Sequence, residues 1–239
     1  MKKILLLLGL CAGFSQSVFA GDLSGLSNLT QAEFRQVSED LGAAFSYKPI
    51  TPTVALGITG FDIGVEVTAT DVSKSSAALN KAVSGGTSTD TLLVPKLYFA
   101  KGLPLGFDVA AFYANIPAIN ATLVGGELRY ALIDGGTATP AVGIRGAFSN
   151  LNGSNQLAFN TRSLDVSISK GFTILTPYAG VGQVWVNSTP NVAGLSNESF
   201  TQGKVFAGAN LGLGLFSLAL EADKTGGTTS WGLKMGLRW

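Results

Sequence analysis

From residue 43 onward, apolar and polar side chains alternate with a period of two, the pattern of strands with unlike faces. It is clearest at the end of the chain. Trp231, Leu233, Met235, Leu237 and Trp239 fall on one face, and Ser230, Gly232, Lys234, Gly236 and Arg238 on the other. The same alternation sets Phe61, Ile63, Val65 and Val67 against Asp62, Gly64, Glu66 and Thr68. It recurs around Leu164–Ile168, Val205–Leu211 and Phe216–Leu220. Tight-turn signals punctuate these runs at Gly60, Lys101-Gly-Leu-Pro104, Asp134-Gly-Gly136, Lys170-Gly171 and Gly212-Leu-Gly214. Looser polar segments, 72–90, 115–118, 150–155, 188–199 and 223–228, alternate with them. The pattern predicts strands over 43–48, 53–59, 61–71, 91–100, 105–115, 119–133, 139–149, 156–169, 173–187, 200–213, 215–223 and 228–239, which is twelve. The first two are shorter than the ~9–11 residues of a spanning strand, and Pro49 and Pro52 interrupt them. Ten strands after an amino-terminal hairpin are therefore the alternative.

One segment has helical spacing. Phe34, Val37 and Leu41 recur over residues 30–42, Thr30 and Glu33 have the capping-box spacing, and Leu29 with Phe34 suits a hydrophobic staple. Gly42 is the expected stop. Residues 21–42 thus read as a leader with a short helix, acting as a periplasmic cap over one end of the domain or, alternatively, as a plug.

The charges decide which face points where. On these registers the face opposite the aliphatic one carries Asp62, Glu66, Asp108, Glu127, Asp165 and Glu221, and Lys96, Arg129, Arg145, Lys204, Lys234 and Arg238. A Lys or Arg at the midplane of a lipid-facing surface costs roughly 2–4 kcal/mol, so six would cost on the order of 12–24 kcal/mol. A whole domain is stable by only ~5–15 kcal/mol. In a membrane these residues must face an enclosed centre, where equal numbers of each sign form ion pairs. The inverted arrangement, a soluble sandwich with the charges in water, is the competing fold. Against it, the polar faces are rich in Gly, Ser and Ala rather than Lys and Glu. Trp231 and Trp239 also bracket the apolar face of the last strand, at a spacing near the height of an apolar band with aromatic girdles.

Composition narrows the field. The 239-residue chain is 46% hydrophobic and 13% charged, with 31 Gly and no His. Mean hydropathy is +0.34. This excludes a disordered chain, and a formal net charge of +1 gives no field for nucleic acid. Residues 1–20 read as a signal peptide: Lys2 and Lys3, the apolar run Ile4–Leu10, then Val18-Phe-Ala20 before the cut. Cys11 as a lipidated residue is the competing reading. Cleavage removes the one cysteine and leaves a net charge of −1. No other apolar run is long, so insertion has to be as a barrel.

With the alternation, the carboxy-terminal run Trp231-Gly-Leu-Lys-Met-Gly-Leu-Arg-Trp239 resembles the terminal assembly signal of bacterial outer-membrane β-barrel proteins, in which alternate apolar residues end on an aromatic. Here Trp231, Leu233, Met235, Leu237 and Trp239 would be that signal, with Trp239 in place of the usual Phe. The resemblance covers residues 43–239. It implies an antiparallel transmembrane barrel in the outer membrane, with membrane lipids, the barrel assembly machinery and periplasmic chaperones as partners.

Little catalytic chemistry is available. Without His, and without Cys after processing, there is no Ser-His-Asp or Cys-His arrangement and no zinc set. Asp62 and Glu66 could form an acid pair, but salt bridging to inward Arg or Lys is the plainer expectation. Gly180-Val-Gly182 and Gly212-Leu-Gly214 lack the context of a dinucleotide site. They read as curvature or close packing. No cofactor, metal or enzymatic activity is expected. The first expectation is a small passive channel with little charge selectivity, its lumen lined by the twelve charges above. The alternative is a closed structural or adhesive barrel acting through its outer loops.

Overall fold

The computed structural model describes residues 23–83, 90–116, 121–136 and 138–239. The signal peptide, Cys11 and Gly21 lie outside the described residues. Ten antiparallel strands close into one barrel. They are β1 (Phe61–Asp71), β2 (Thr91–Gly102), β3 (Phe107–Ile116), β4 (Ala121–Asp134), β5 (Ala141–Asn152), β6 (Leu157–Ser169), β7 (Leu175–Pro190), β8 (Glu198–Leu213), β9 (Phe216–Thr225) and β10 (Thr228–Arg238). Each pairs with its neighbours in sequence, and β1 closes on β10 through Asp62↔Arg238 to Thr70↔Ser230. Closure leaves no unpaired edge, which is how a sheet satisfies its backbone without water.

The alternative of ten strands holds, and the count of twelve is corrected. Residues 43–45 complete a helix, and residues 46–60 are irregular. Their alternation misleads because residues 40–53 are buried on every side, not on one face. Pro49 and Pro52 also lack the N–H a ladder needs. Residues 224 and 225, expected in a loop, are the end of β9, which turns into β10 through Gly226-Gly227.

Helix α1 spans Gln31–Phe45 with Thr30 as its N-cap. The Thr30 hydroxyl accepts from the Glu33 N–H at 3.3 Å, and Glu33 Oε2 accepts from the Thr30 N–H at 2.9 Å. Leu29 and Phe34 are buried in one apolar cluster. Gly42 does not end the helix, which runs on to a C-cap at Ser46. Its role is close packing: a Cβ there would lie 2.8 Å from both Val186 Cγ2 and Gln202 Oε1.

The chain therefore takes an unusual route. A 3₁₀ turn (Leu23–Asn28), α1 and a short helix α2 (Ser76–Ala82) pack together at the end where β1 runs into β2. Residues 46–56 then pass down the inside of the barrel, and β1 starts at the opposite end, where the tight turns lie.

Candidate functional site

The inner face is polar because the even positions of β1 and β10 and the odd positions of β4, β5, β6 and β9 point inward. All twelve charged residues named from the sequence lie on it. Eleven are buried, and the Arg238 side chain is 14% exposed at the tight-turn end.

Register brings most of them into pairs. Asp108 and Arg129 face each other across β3 and β4, and Arg129 Nε and Nη2 donate to Asp108 Oδ2 at 3.0 and 2.6 Å. Arg145 and Asp165 do the same across β5 and β6, at 3.0 and 2.7 Å. Lys204 Nζ lies 3.6 Å from Asp165, and Glu127 Oε2 lies 3.7 Å from Arg145 Nε. Lys234 and Arg238 converge on Asp62 Oδ2, at 2.8 and 2.9 Å. Asp62 and Glu66 are not hydrogen-bonded to each other, and Asp62 instead holds these two cations. Glu66 faces Lys96 and Lys234 across its two neighbours. Lys96 Nζ sits 5.1 Å over the Phe112 ring. Glu221 is buried opposite Gly208 and Gly232. Both carboxylate oxygens of Glu66 and of Glu127 lack a hydrogen-bond partner among the described residues.

The internal segment is tied to the same charges. Lys204 Nζ donates to the Tyr47 carbonyl at 3.0 Å, and Arg129 Nη1 to the Pro52 carbonyl at 3.0 Å. Arg238 Nη2 donates to the Val54 carbonyl at 3.2 Å, and the Leu56 N–H donates to Asp108 Oδ1 at 3.1 Å. The Thr53 hydroxyl bonds that of Ser167 at 2.9 Å. Lys48, buried on this segment, lies 3.6 Å from Asp223 Oδ1. The ladder hydrogen bonds that residues 46–56 do not make are thus replaced by bonds to inward-facing side chains. An eight-stranded barrel is filled by its own side chains. Ten strands enclose more, and this segment takes up the difference.

Above it, α1 closes the mouth. Asp40 accepts from the Thr228 hydroxyl at 2.6 Å and from the Ser75 N–H at 3.1 Å. The Ser38 hydroxyl donates to Ser188 at 2.9 Å, and Arg35 Nη1 meets Glu198 Oε2 at 3.0 Å. Glu33, paired with Lys81 and capping Thr30, is held down to about pKa 2, the Lys81 hydrogen bond being the largest cause. Beneath the helix, Leu41, Phe45, Leu92 and Leu157 line an apolar residual cavity of about 20 Å³, room for one water at most.

Lys48, Asp40 and Asp223 were not singled out from the sequence. Asp223 follows Glu221 by two residues and was legible from the alternation. Asp40 sits among the apolar positions of α1, and Lys48 had no register to place it.

The outer face is the inverse of the inner one. Leu97, Leu128, Val181, Val205, Leu220 and Leu233 are each 45–59% exposed. Aromatic rings gather toward both ends. Phe61 contacts Trp239 and Phe99 near the tight turns, with ring centroids 5.2 and 6.0 Å apart. Tyr113, Phe148, Trp185 and Trp231 are exposed toward the other end. A continuous greasy wall around a charged, closed interior suits acyl chains outside. The fold is that of an outer-membrane β-barrel.

No family model and no curated protein sequence matches the chain. Among solved structures, it is similar to the N-terminal β-barrel domain of Pseudomonas aeruginosa OprF, at 18% identity and a TM-score of 0.38, covering 74% of this chain and 97% of that one. It is also similar to Ail, the attachment invasion locus protein of Yersinia pestis, in complex with the heparin analogue sucrose octasulfate. The identity there is 12%, the TM-score 0.32, and coverage 75% of this chain and 97% of that one.

Proposed function

We propose that the protein is a closed, non-enzymatic outer-membrane barrel that holds its amino-terminal cap, α1 with α2, at the end bearing the longest loop. Its function then resides on that face rather than in passage through the lumen. The passive channel expected first is the weaker reading. One observation carries this choice: residues 46–56 occupy the interior and bond to Asp108, Arg129, Lys204 and Arg238 on four strands. An open path would have left those groups to water.

Barrels of this class have short periplasmic turns and longer external loops. The longest link, residues 72–90, is at the cap end, so that end faces outward in this reading, and the cap belongs on the cell surface rather than in the periplasm. Export by the basic and apolar residues 2–10, with cleavage after Ala20, completes the reading. Planar-bilayer recording of folded, full-length protein tests it. The reading expects silence; steady single-channel conductance refutes it and restores the channel.

A further inference from the structure

The outer face carries few charges, and they are not scattered. Among the described residues, the outward-facing ionised side chains of the strands are Asp71, Lys101, Arg162 and Lys224. Two of them have partners. Asp71 is the last residue of β1 and accepts from the Ser73 N–H at 3.0 Å. Lys101 donates to the Gly102 carbonyl at 2.7 Å. Arg162 on β6 and Lys224 on β9 are different. Both are exposed, both are basic, and neither has an ion pair or hydrogen bond among the described residues.

Their positions fix their level: Lys224 is the last residue but one of β9, whose end lies at the cap, and Arg162 is placed by its neighbours. Arg162 stands in register between Phe148 on β5 and Trp185 on β7, which are 55% and 40% exposed. These rings belong to the aromatic zone at the cap end. A cation is costly at the midplane of a lipid-facing wall and nearly free of cost close to an interface, so this is the level at which an outward cation is tolerated. Across the two intervening strands, Gln183 on β7 and Gly203 on β8 are direct partners. Gln183 is a diagonal neighbour of Arg162 through Leu164↔Gln183, and Gly203 is one of Lys224 through Val205↔Lys224. Four adjacent strands thus present Arg, Gln, Gly and Lys as a polar ledge bordered by aromatic rings. No heavy atom lies within 4 Å of where a Cβ on Gly203 would be, so the middle of the ledge is open.

We propose that this ledge binds a lipid headgroup bearing two phosphate groups, one on Arg162 and one on Lys224. Guanidinium and ammonium groups both form charge-assisted hydrogen bonds with phosphate oxygens. The cations stand three strand spacings across and, because Lys224 is level with Val166, four residues along. Their backbones are roughly 20 Å apart at about 4.8 Å per strand and about 3.3 Å per residue, a gap that their two long side chains narrow. One phosphate cannot reach both; a headgroup with phosphates at its two ends can, with the Gln183 amide beneath its centre. The acyl chains of such a lipid lie against Leu164, Val166, Val181 and Val205, all exposed on the same wall. The inference needs the barrel to stand in a membrane, but it does not need the lumen to be closed.

The test uses full-length protein refolded in neutral detergent, its folding shown by heat-modifiable gel migration. Native mass spectrometry reads retention of three probes: a bisphosphorylated acylated disaccharide, its monophosphorylated form and phosphatidylglycerol. Wild type retains one bisphosphorylated molecule. Arg162→Gln and Lys224→Gln each weaken retention about tenfold or more, and Lys101→Gln does not. The monophosphorylated probe binds wild type as weakly as the bisphosphorylated one binds either variant. Equal retention of all three probes, or variants that bind like wild type, overturns the proposal. A barrel that folds, stays silent in bilayers and retains no phosphorylated lipid overturns it while leaving the closed-barrel reading intact.

Discussion

Ile50 occupies the space that a side chain on Gly232 would need. A Cβ on Gly232 would lie 2.6 Å from Ile50 Cδ1 and 3.0 Å from Ile50 Cγ1. Ile50 is fully buried and holds a φ of 47°, a left-handed conformation that is unfavourable for a β-branched residue. Such strain persists where the surroundings leave no other arrangement. The inward glycine of β10 and the strained isoleucine of the internal segment are thus two halves of one fit.

Gly232→Ala therefore lowers stability by about 1–3 kcal/mol through overpacking, read from the urea midpoint of the gel-migration transition. Ile50→Ala in the same chain restores part of that loss, so the two substitutions are not additive. Additive losses would mean that the two residues do not meet.

Arg129 ties β4 to Asp108 and to the Pro52 carbonyl. Arg129→Met leaves Asp108 as a buried, unpaired carboxylate and costs about 3–5 kcal/mol. Adding Asp108→Asn removes that charge and recovers much of the cost. The same urea midpoint checks both, and a single variant as stable as wild type would show that water reaches the pair.

The cap has its own pH dependence. The Glu33 carboxyl is held at about 2, below its usual 4.5, by Lys81 and by the N-cap of α1. A group whose pKa is depressed on folding contributes stability above its unfolded pKa and loses it as pH falls through the folded value. Amide protection in α1, corrected for intrinsic exchange, should decline between about pH 4.5 and 2. Glu33→Gln should show lower protection at neutral pH and no further decline across that window.

Much of this was legible in the sequence. Strict alternation, as in 228–239, places a strand and its inward Lys234 and Arg238 with no knowledge of partners, because period two fixes the face. Arg162 was equally legible, being in phase with Leu164 and Val166. The path of residues 46–56 was not. Its side chains contact the wall on all sides, so it has no polar face to reveal its position, and it reads as two short strands. Gly42 misled for a related reason: a glycine that ends a helix and one that lets a helix touch a wall look the same in one dimension. Gly232, an unremarkable small residue in a strand, shows its purpose only once Ile50 is beside it.

The occupied interior is tested most directly by a cross-link between Thr53 and Ser167, whose hydroxyls lie 2.9 Å apart. With residues 1–20 removed the chain has no cysteine, so Thr53→Cys with Ser167→Cys adds the two thiols needed. The account predicts that folded protein forms this disulfide nearly completely under mild oxidation, as read by mass spectrometry of the digested protein, and still gives no conductance. Two free thiols in folded protein, with the one introduced at position 53 open to a water-soluble maleimide, would contradict it.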